Sequence, residues 1–216
     1  LLLHPFYPET TLNAFFNQAA RFIYHPALIT PNPLGEGWAW DDYPYYYAAE
    51  RSAFPIYGNA VQATLKDNTL ELTPSFFEKY AARDSVGSKF KRLHSANTFS
   101  YNLSQWQKKD TLTRPFITSD SLFVKLLSES TGNGVVLADQ PREEFSWEQL
   151  YSNDDAPLYR ALLQDSDNGI AEALLLMIGQ EEFKEMDSQK AIDSILARWK
   201  PWLLDPVAWV DGSGVS

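Results

Sequence analysis

The 216-residue chain has no cysteine. This excludes disulfides, thiol nucleophiles and thiolate metal sites, while a cysteine-free chain suits either redox compartment. Histidine is scarce: His4, His25 and His94 are scattered without ligand spacing. They read as structural or surface groups, so no metal and no other cofactor is expected. Positive charge is in deficit, with 18 Lys and Arg against 28 Asp and Glu and a formal charge of −10. No basic stripe replaces phosphate counterions or meets anionic lipid, which argues against nucleic acid and a charged membrane surface as partners. No run of 18 apolar residues occurs, so no transmembrane segment is expected. An initiating Met and a signal peptide are missing as well. The chain opens on Leu1-Leu2-Leu3, which reads as the end of a strand, and stops at Val215-Ser216. Both ends read as cuts through a longer protein.

What is present is apolar enough to fold. Apolar residues make up 44% of the chain, so a globular core in one or two domains is expected. Residues 11–23 have helical periodicity through Leu12, Phe15, Phe16, Ala19, Phe22 and Ile23. A Pro- and Gly-rich connection leads to an aromatic stretch over 38–58. That stretch is either a loop packed down by its own rings or one wall of a groove for a sugar or peptide. Residues 59–73 alternate around Asp67-Asn68 and predict a β-hairpin. Ser75 and Glu78 have capping-box spacing for a short helix. Gly87 to Arg92 reads as a polar turn with Lys89, Lys91 and Arg92 solvated. Phe99, Tyr101 and Leu103 alternate as a strand. Ser119-Asp120 caps a helix over 122–127, and Val135-Val136-Leu137 reads as a buried strand. Trp147 to Tyr151 fits one helical turn.

From about 153 the pattern is helical. One helix starts at Pro157 and runs to Gln164. A second covers Ile170, Ala171, Leu174, Leu175 and Ile178, with Gly179 as its C-cap. A third begins at Asp187-Ser188 and ends at Pro201. Between the first two stands Ser166-Asp167-Asn168. The plain reading of that triplet is a helix N-cap. Its chemical reading is a hydroxyl and an amide offered together at a helix break, as acyl transfer by a serine requires.

Three stretches support the chemical reading. Ser166-Asp167-Asn168-Gly169-Ile170-Ala171-Glu172-Ala173-Leu174-Leu175 resembles the second active-site motif of the D-alanyl-D-alanine carboxypeptidase/endopeptidase family typified by penicillin-binding protein 4. Asp211-Gly212-Ser213-Gly214-Val215-Ser216 resembles a segment downstream of that motif in the family. Gly37-Trp38-Ala39-Trp40-Asp41-Asp42 is similar to a Gly-Trp-x-Trp-Asp-Asp stretch of the family's inserted domain. The matches stand in family order.

The resemblance implies an α+β fold: a mixed, strand-rich insertion over residues 1–152, then at 153–216 a helical segment of a catalytic domain like that of serine β-lactamases and transpeptidases. It implies a serine-type hydrolase of the periplasm or cell envelope that cleaves peptidoglycan stem peptides and, when complete, reacts with β-lactams. Ser166 would pass a proton to the departing amine. Asn168 would hold the catalytic Lys and the substrate, and Asp42 would meet the free amine of the stem peptide. The family's Ser-x-x-Lys is read as missing, and Lys-Thr-Gly does not occur. The 216 residues by themselves are therefore expected not to turn over peptide. They are expected to expose an apolar face that includes Leu174, Leu175, Ile195 and Trp199. The alternative is an inactive peptidoglycan-recognition module or pseudoenzyme. A plain interaction module using the aromatic stretch as a protein surface is a third class.

Overall fold

The computed structural model describes residues 3–5, 11–18, 21–26, 31–139, 150 and 155–214. Most of the Leu1–Leu3 run and most of the Trp147–Tyr151 turn lie outside them. Helix α1 (Thr11–Phe16) is followed by strand β1 (Phe22–Tyr24). The expected helix over 11–23 is thus corrected: it ends at Phe16, and Phe22 and Ile23 are strand. Tertiary pairing overrides the local period, because Phe22, Ile23 and Tyr24 pair in parallel with Val135, Val136 and Leu137.

The hairpin forms as the alternation predicts, with β2 (Ala60–Lys66) and β3 (Thr69–Thr73). Asp67 and Asn68 take φ of 47° and 62°, the paired positive values of a type I′ turn. Val61 and Ala63 point into the core, while Gln62 and Thr64 point away. A 3₁₀ helix spans Ser75–Tyr80, but Pro74 is its N-cap and no side chain caps it, so the capping-box reading is corrected. Strands β4 (Ala81–Arg83), β5 (Phe90–Arg92) and β6 (Phe99–Tyr101) form a second sheet in the order β4-β6-β5. Leu103 lies beyond β6, in a short 3₁₀ turn. The basic stretch is therefore partly strand, and Arg92 is only 4% exposed. Its guanidinium sits 4.6 Å from the Tyr43 ring centroid and donates to the carbonyls of Leu93 and His94 at 3.0 and 3.1 Å. Lys89 pairs with Asp110, and Lys91 stays exposed.

Strand β7 (Thr111–Pro115) joins the hairpin, giving the order β3-β2-β7. Helix α2 (Asp120–Thr131) starts where Ser119 accepts from the Leu122 amide, and it stops at Gly132 with φ 69°. Among the described residues, strand β8 (Val135–Leu137) has β1 alone beside it. Ile23 and Val136, paired on one face of this ribbon, are both exposed, where a buried strand was expected. Phe77, Phe90, Phe99 and Phe116 centre the main core, with Phe90 and Phe99 stacked at 5.4 Å.

Three α-helices follow, α3 (Ala156–Leu163), α4 (Asn168–Phe183) and α5 (Ser188–Trp199), and then a short 3₁₀ turn at Lys200–Trp202. The three α-helices bury small clusters of their own, Ala161 with Ile170, and Leu175 with Ala191 and Ile192. Gly179 does not end α4. A Cβ there would lie 2.7 Å from the Asp187 carbonyl, so glycine lets the helix approach the turn that starts α5. The actual C-cap is Lys184, at φ 59°. The expected apolar face is corrected in part. Leu175 is buried at 3% exposure, and Leu174 and Ile195 are half-buried, while Trp199 is 52% exposed. The large apolar side chains most open to solvent in this part are Leu204, Trp202 and Leu163.

Candidate active site

The Ser-x-Asn triplet forms a sharp turn between α3 and α4. The amides of Gln164 and Asp165 both donate to the Arg160 carbonyl and close α3. Ser166 then takes φ 52°, a left-handed conformation uncommon for a non-glycine residue. Asp167, the middle residue, caps α4 by accepting from the Ile170 amide at 2.8 Å. Capping is therefore done by Asp167, which leaves the side chains on either side of it for other use. The Ser166 residue is exposed, at the surface of the turn.

Asn168 is half-buried, and its Nδ2 donates to the Tyr47 carbonyl at 3.0 Å. This orients the amide and leaves Oδ1 as an available acceptor. The Tyr47 hydroxyl donates to Asp42 Oδ1, also at 3.0 Å. One tyrosine thus joins the two residues singled out at 42 and 168. Its ring stacks on Tyr45 at 5.5 Å and stands edge-on to Tyr46 at 5.7 Å. Burial, followed by the Asp42 hydrogen bond, raises the Tyr47 hydroxyl above its ordinary pKa, so it remains a donor at neutral pH. Asp42 also sits in tight backbone turns, its amide donating to Ala39 and its carbonyl accepting from Tyr45.

Beneath the turn, His4 Nε2 lies 3.5 Å from Asp167 Oδ2. Burial pushes the imidazole below its ordinary pKa, against the opposing pull of Asp167. Of the three histidines, His4 is buried and His94 stacks on Trp40 at 4.0 Å.

A buried polar node ties the three sequence matches together. Glu172, on α4, is 1% exposed. It pairs with Arg51 at 3.3 Å and accepts from the amides of Gly212 and Ser213 at 2.8 and 2.9 Å. Arg51 also donates to the carbonyls of Asn32 and Leu34 and to the Ser188 hydroxyl. Asp211 accepts from Trp38 Nε1 at 3.0 Å and from the Gly214 amide. The Gly-Trp-x-Trp-Asp-Asp loop, α4 and the Asp-Gly-Ser-Gly turn are thereby fixed to one another. Tyr47, Arg51 and Glu172 were not singled out from the sequence. The one local signal was a carboxylate, Glu172, inside an apolar helical run.

The reading that no Ser has a Lys three positions on is corrected at Ser88-Lys89-Phe90-Lys91. That stretch runs into β5. On a helix the i and i+3 side chains are neighbours, whereas along a strand they fall on opposite faces. The backbone here does not bring the Lys91 amine beside the Ser88 hydroxyl, so the spacing does not supply a nucleophile–base pair.

Comparison with known proteins adds three findings. No curated protein sequence matches the chain. Among solved structures it resembles penicillin-binding protein 4 from Haemophilus influenzae, with a TM-score of 0.65 and 18% identity over 91% of this chain and 49% of that one. The chain thus spans about half the length of that protein, and at this identity the likeness is one of fold. Residues 25–216 match the model of the D-Ala-D-Ala carboxypeptidase 3 (S13) family, and the same residues hold all three motifs and the node that joins them. The chain belongs to the D-Ala-D-Ala carboxypeptidase 3 (S13) family.

Proposed function

We propose that the chain is the central part of a serine-type D,D-carboxypeptidase or endopeptidase acting on peptidoglycan stem peptides in the periplasm or cell envelope. Residues 1–152 are its insertion, and 153–216 return the chain to the catalytic domain. The observation that carries this reading is the link Asn168–Tyr47–Asp42, which joins a hydroxyl-and-amide turn to a carboxylate held among aromatic rings. Ser166 stands in the open on its turn, where its hydroxyl can relay a proton to a departing amine. Asn168 keeps Oδ1 free to accept from a Lys ammonium. Asp42 keeps one carboxylate oxygen for an ammonium group of the substrate, a charge-assisted contact. The nucleophile and base belong to the full-length protein, and the 216 residues by themselves do not turn over peptide. No described helix is long and apolar enough to cross a membrane.

The recognition-module reading draws on one observation, the lack of a helical Ser-x-x-Lys and of Lys-Thr-Gly in these residues. Covalent labelling of the full-length protein by a fluorescent penicillin separates the two. Labelling that falls when Ser166 or Asn168 is replaced supports the enzyme. Binding of muropeptide with no labelling supports recognition alone. Asp42→Asn should weaken a stem peptide bearing a free amine by about 1.5–3 kcal/mol and hardly change acylation by a penicillin without one. Equal loss for both ligands would make Asp42 structural.

A further inference from the structure

A cleft of about 420 Å³ opens beside the Ser-x-Asn turn, within the range of about 300–1,000 Å³ seen for small-molecule sites. Its floor is set by strand register. Gln62 pairs with Thr73 on one side and with Thr113 on the other. The neighbours Val61 and Ala63 are buried, so Gln62 faces outward, and neighbouring strands lie about 4.8 Å apart. Three polar side chains therefore cross the sheet in one row. Among the described residues, none of the three side chains has a hydrogen-bond partner. Tyr46, at 57% exposure, and Tyr57 supply aromatic rings, and His4 closes one side.

Among the described residues, this lining has rings, amides and hydroxyls but no carboxylate, Lys or Arg. It suits an uncharged ligand with both polar edges and apolar faces, which describes a sugar ring better than a charged peptide end. The Gln62 carboxamide carries both a donor and an acceptor, the complement of an acetamido group. Two walls of the cleft also touch the candidate active site. Tyr46 precedes Tyr47, whose carbonyl holds Asn168, and His4 contacts Asp167.

We infer that this cleft binds an N-acetylated sugar unit of the substrate's glycan, next to the stem peptide. The inference rests on the proposed function for its substrate, but sugar binding is read independently of acylation. The probe is a β-1,4-linked trimer of N-acetylglucosamine, titrated into the full-length protein by calorimetry, with the glucose trimer as control. The wild type should bind the acetylated trimer roughly tenfold more tightly than the glucose trimer. Gln62→Leu should remove about five- to tenfold of that preference, the range expected for one lost hydrogen bond. Tyr46→Ala should weaken both sugars. Failure to bind the acetylated trimer, equal binding of both sugars, or an unchanged preference in Gln62→Leu overturns the inference. Penicillin labelling is measured on the same preparations, and Gln62→Leu should label like the wild type. Labelling without sugar binding sinks the cleft and leaves the proposed function standing. Sugar binding without labelling does the reverse.

Discussion

Glu172→Gln tests whether the buried node holds the site together. The substitution preserves shape and one acceptor oxygen, so the amides of Gly212 and Ser213 can still be satisfied. It removes the charge facing Arg51, whose side chain is itself only 6% exposed. The guanidinium keeps its neutral partners, the carbonyls of Asn32 and Leu34 and the Ser188 hydroxyl. It loses its anion. Removing one partner of a buried pair costs about 3–5 kcal/mol, because the other charge is left uncompensated. With neutral partners retained, the lower end of about 3 kcal/mol applies. A domain is stable by only about 5–15 kcal/mol, so this is a large fraction of the whole.

The assay is urea unfolding followed by tryptophan fluorescence. At a slope of about 2–3 kcal/mol per molar urea, a loss of about 3 kcal/mol moves the midpoint down by roughly 1–1.5 M. Arg51→Met and the double variant complete a cycle. Residues in contact should couple by about 0.5–3 kcal/mol, the double variant being more stable than the sum of the singles implies. A midpoint shift below about 0.3 M, or additivity within about 0.5 kcal/mol, would show that the node is not a coupled ion pair.

Ser166→Gly should separate stability from activity. Glycine relieves a left-handed residue worth about 1–2 kcal/mol but adds freedom to the unfolded chain, so a net gain of about 1 kcal/mol is expected, with loss of acylation. A Gly variant less stable than Ser166→Ala would contradict the strain argument. Tyr47→Phe leaves the carbonyl that holds Asn168 and frees Asp42. It should weaken a stem peptide with a free amine about five- to tenfold, with penicillin acylation nearly unchanged; a parallel fall in acylation would assign Tyr47 to the whole site. His4, held neutral by burial, has a folded pKa below its unfolded value of 6.5. The unfolded chain therefore takes up the proton first. The His4 contribution is present above about pH 6.5 and is lost as the pH falls below it, by at most about 1.4 kcal/mol per unit. His4→Asn should flatten the stability profile between pH 7 and 5.5, and an unchanged slope would assign that loss to other groups.

Elements fixed by local chemistry were legible in the sequence. The hairpin follows from alternation around Asp67-Asn68, and α2 and α5 follow from the caps at Ser119 and Asp187. Elements fixed by distant partners were not. Phe22 and Ile23 fit a helix by period, and they become strand because Val135 and Val136 pair with them more than a hundred residues away. Arg92 looked solvated because nothing nearby in sequence announces the Tyr43 ring above it. Gly179 had the composition of a cap, but its role is a close approach to a carbonyl eight residues on.

The candidate site divides along the same line. Ser166 and Asn168 could be picked out because the run from Ser166 to Leu175 resembles the family's second active-site motif; by pattern alone the triplet reads as a helix cap. Which of the three triplet residues would cap α4 could not, since Ser, Asp and Asn are all good caps; the geometry gives that task to Asp167. Tyr47 stands among adjacent tyrosines, and what distinguishes it from Tyr45 and Tyr46 is tertiary: its hydroxyl reaches Asp42 and its carbonyl holds Asn168 across 121 residues.

The three motifs that looked like separate matches are parts of one construction. Glu172 belongs to the first and holds the amides of the second. Asp211 belongs to the second and holds Trp38 of the third. Gly212 must be glycine-sized for this to work, because a Cβ there would stand 2.8 Å from the Ala171 carbonyl. The spacing of the motifs along the chain therefore carries little meaning of its own. What constrains them is a shared buried node, where a carboxylate on α4 and another in the final turn fix the aromatic loop against the helix whose first residue is Asn168. The loop that carries Asp42 and Tyr47 is in this way held in register with the Ser-x-Asn turn from two sides, by the node below and by the Tyr47 carbonyl above.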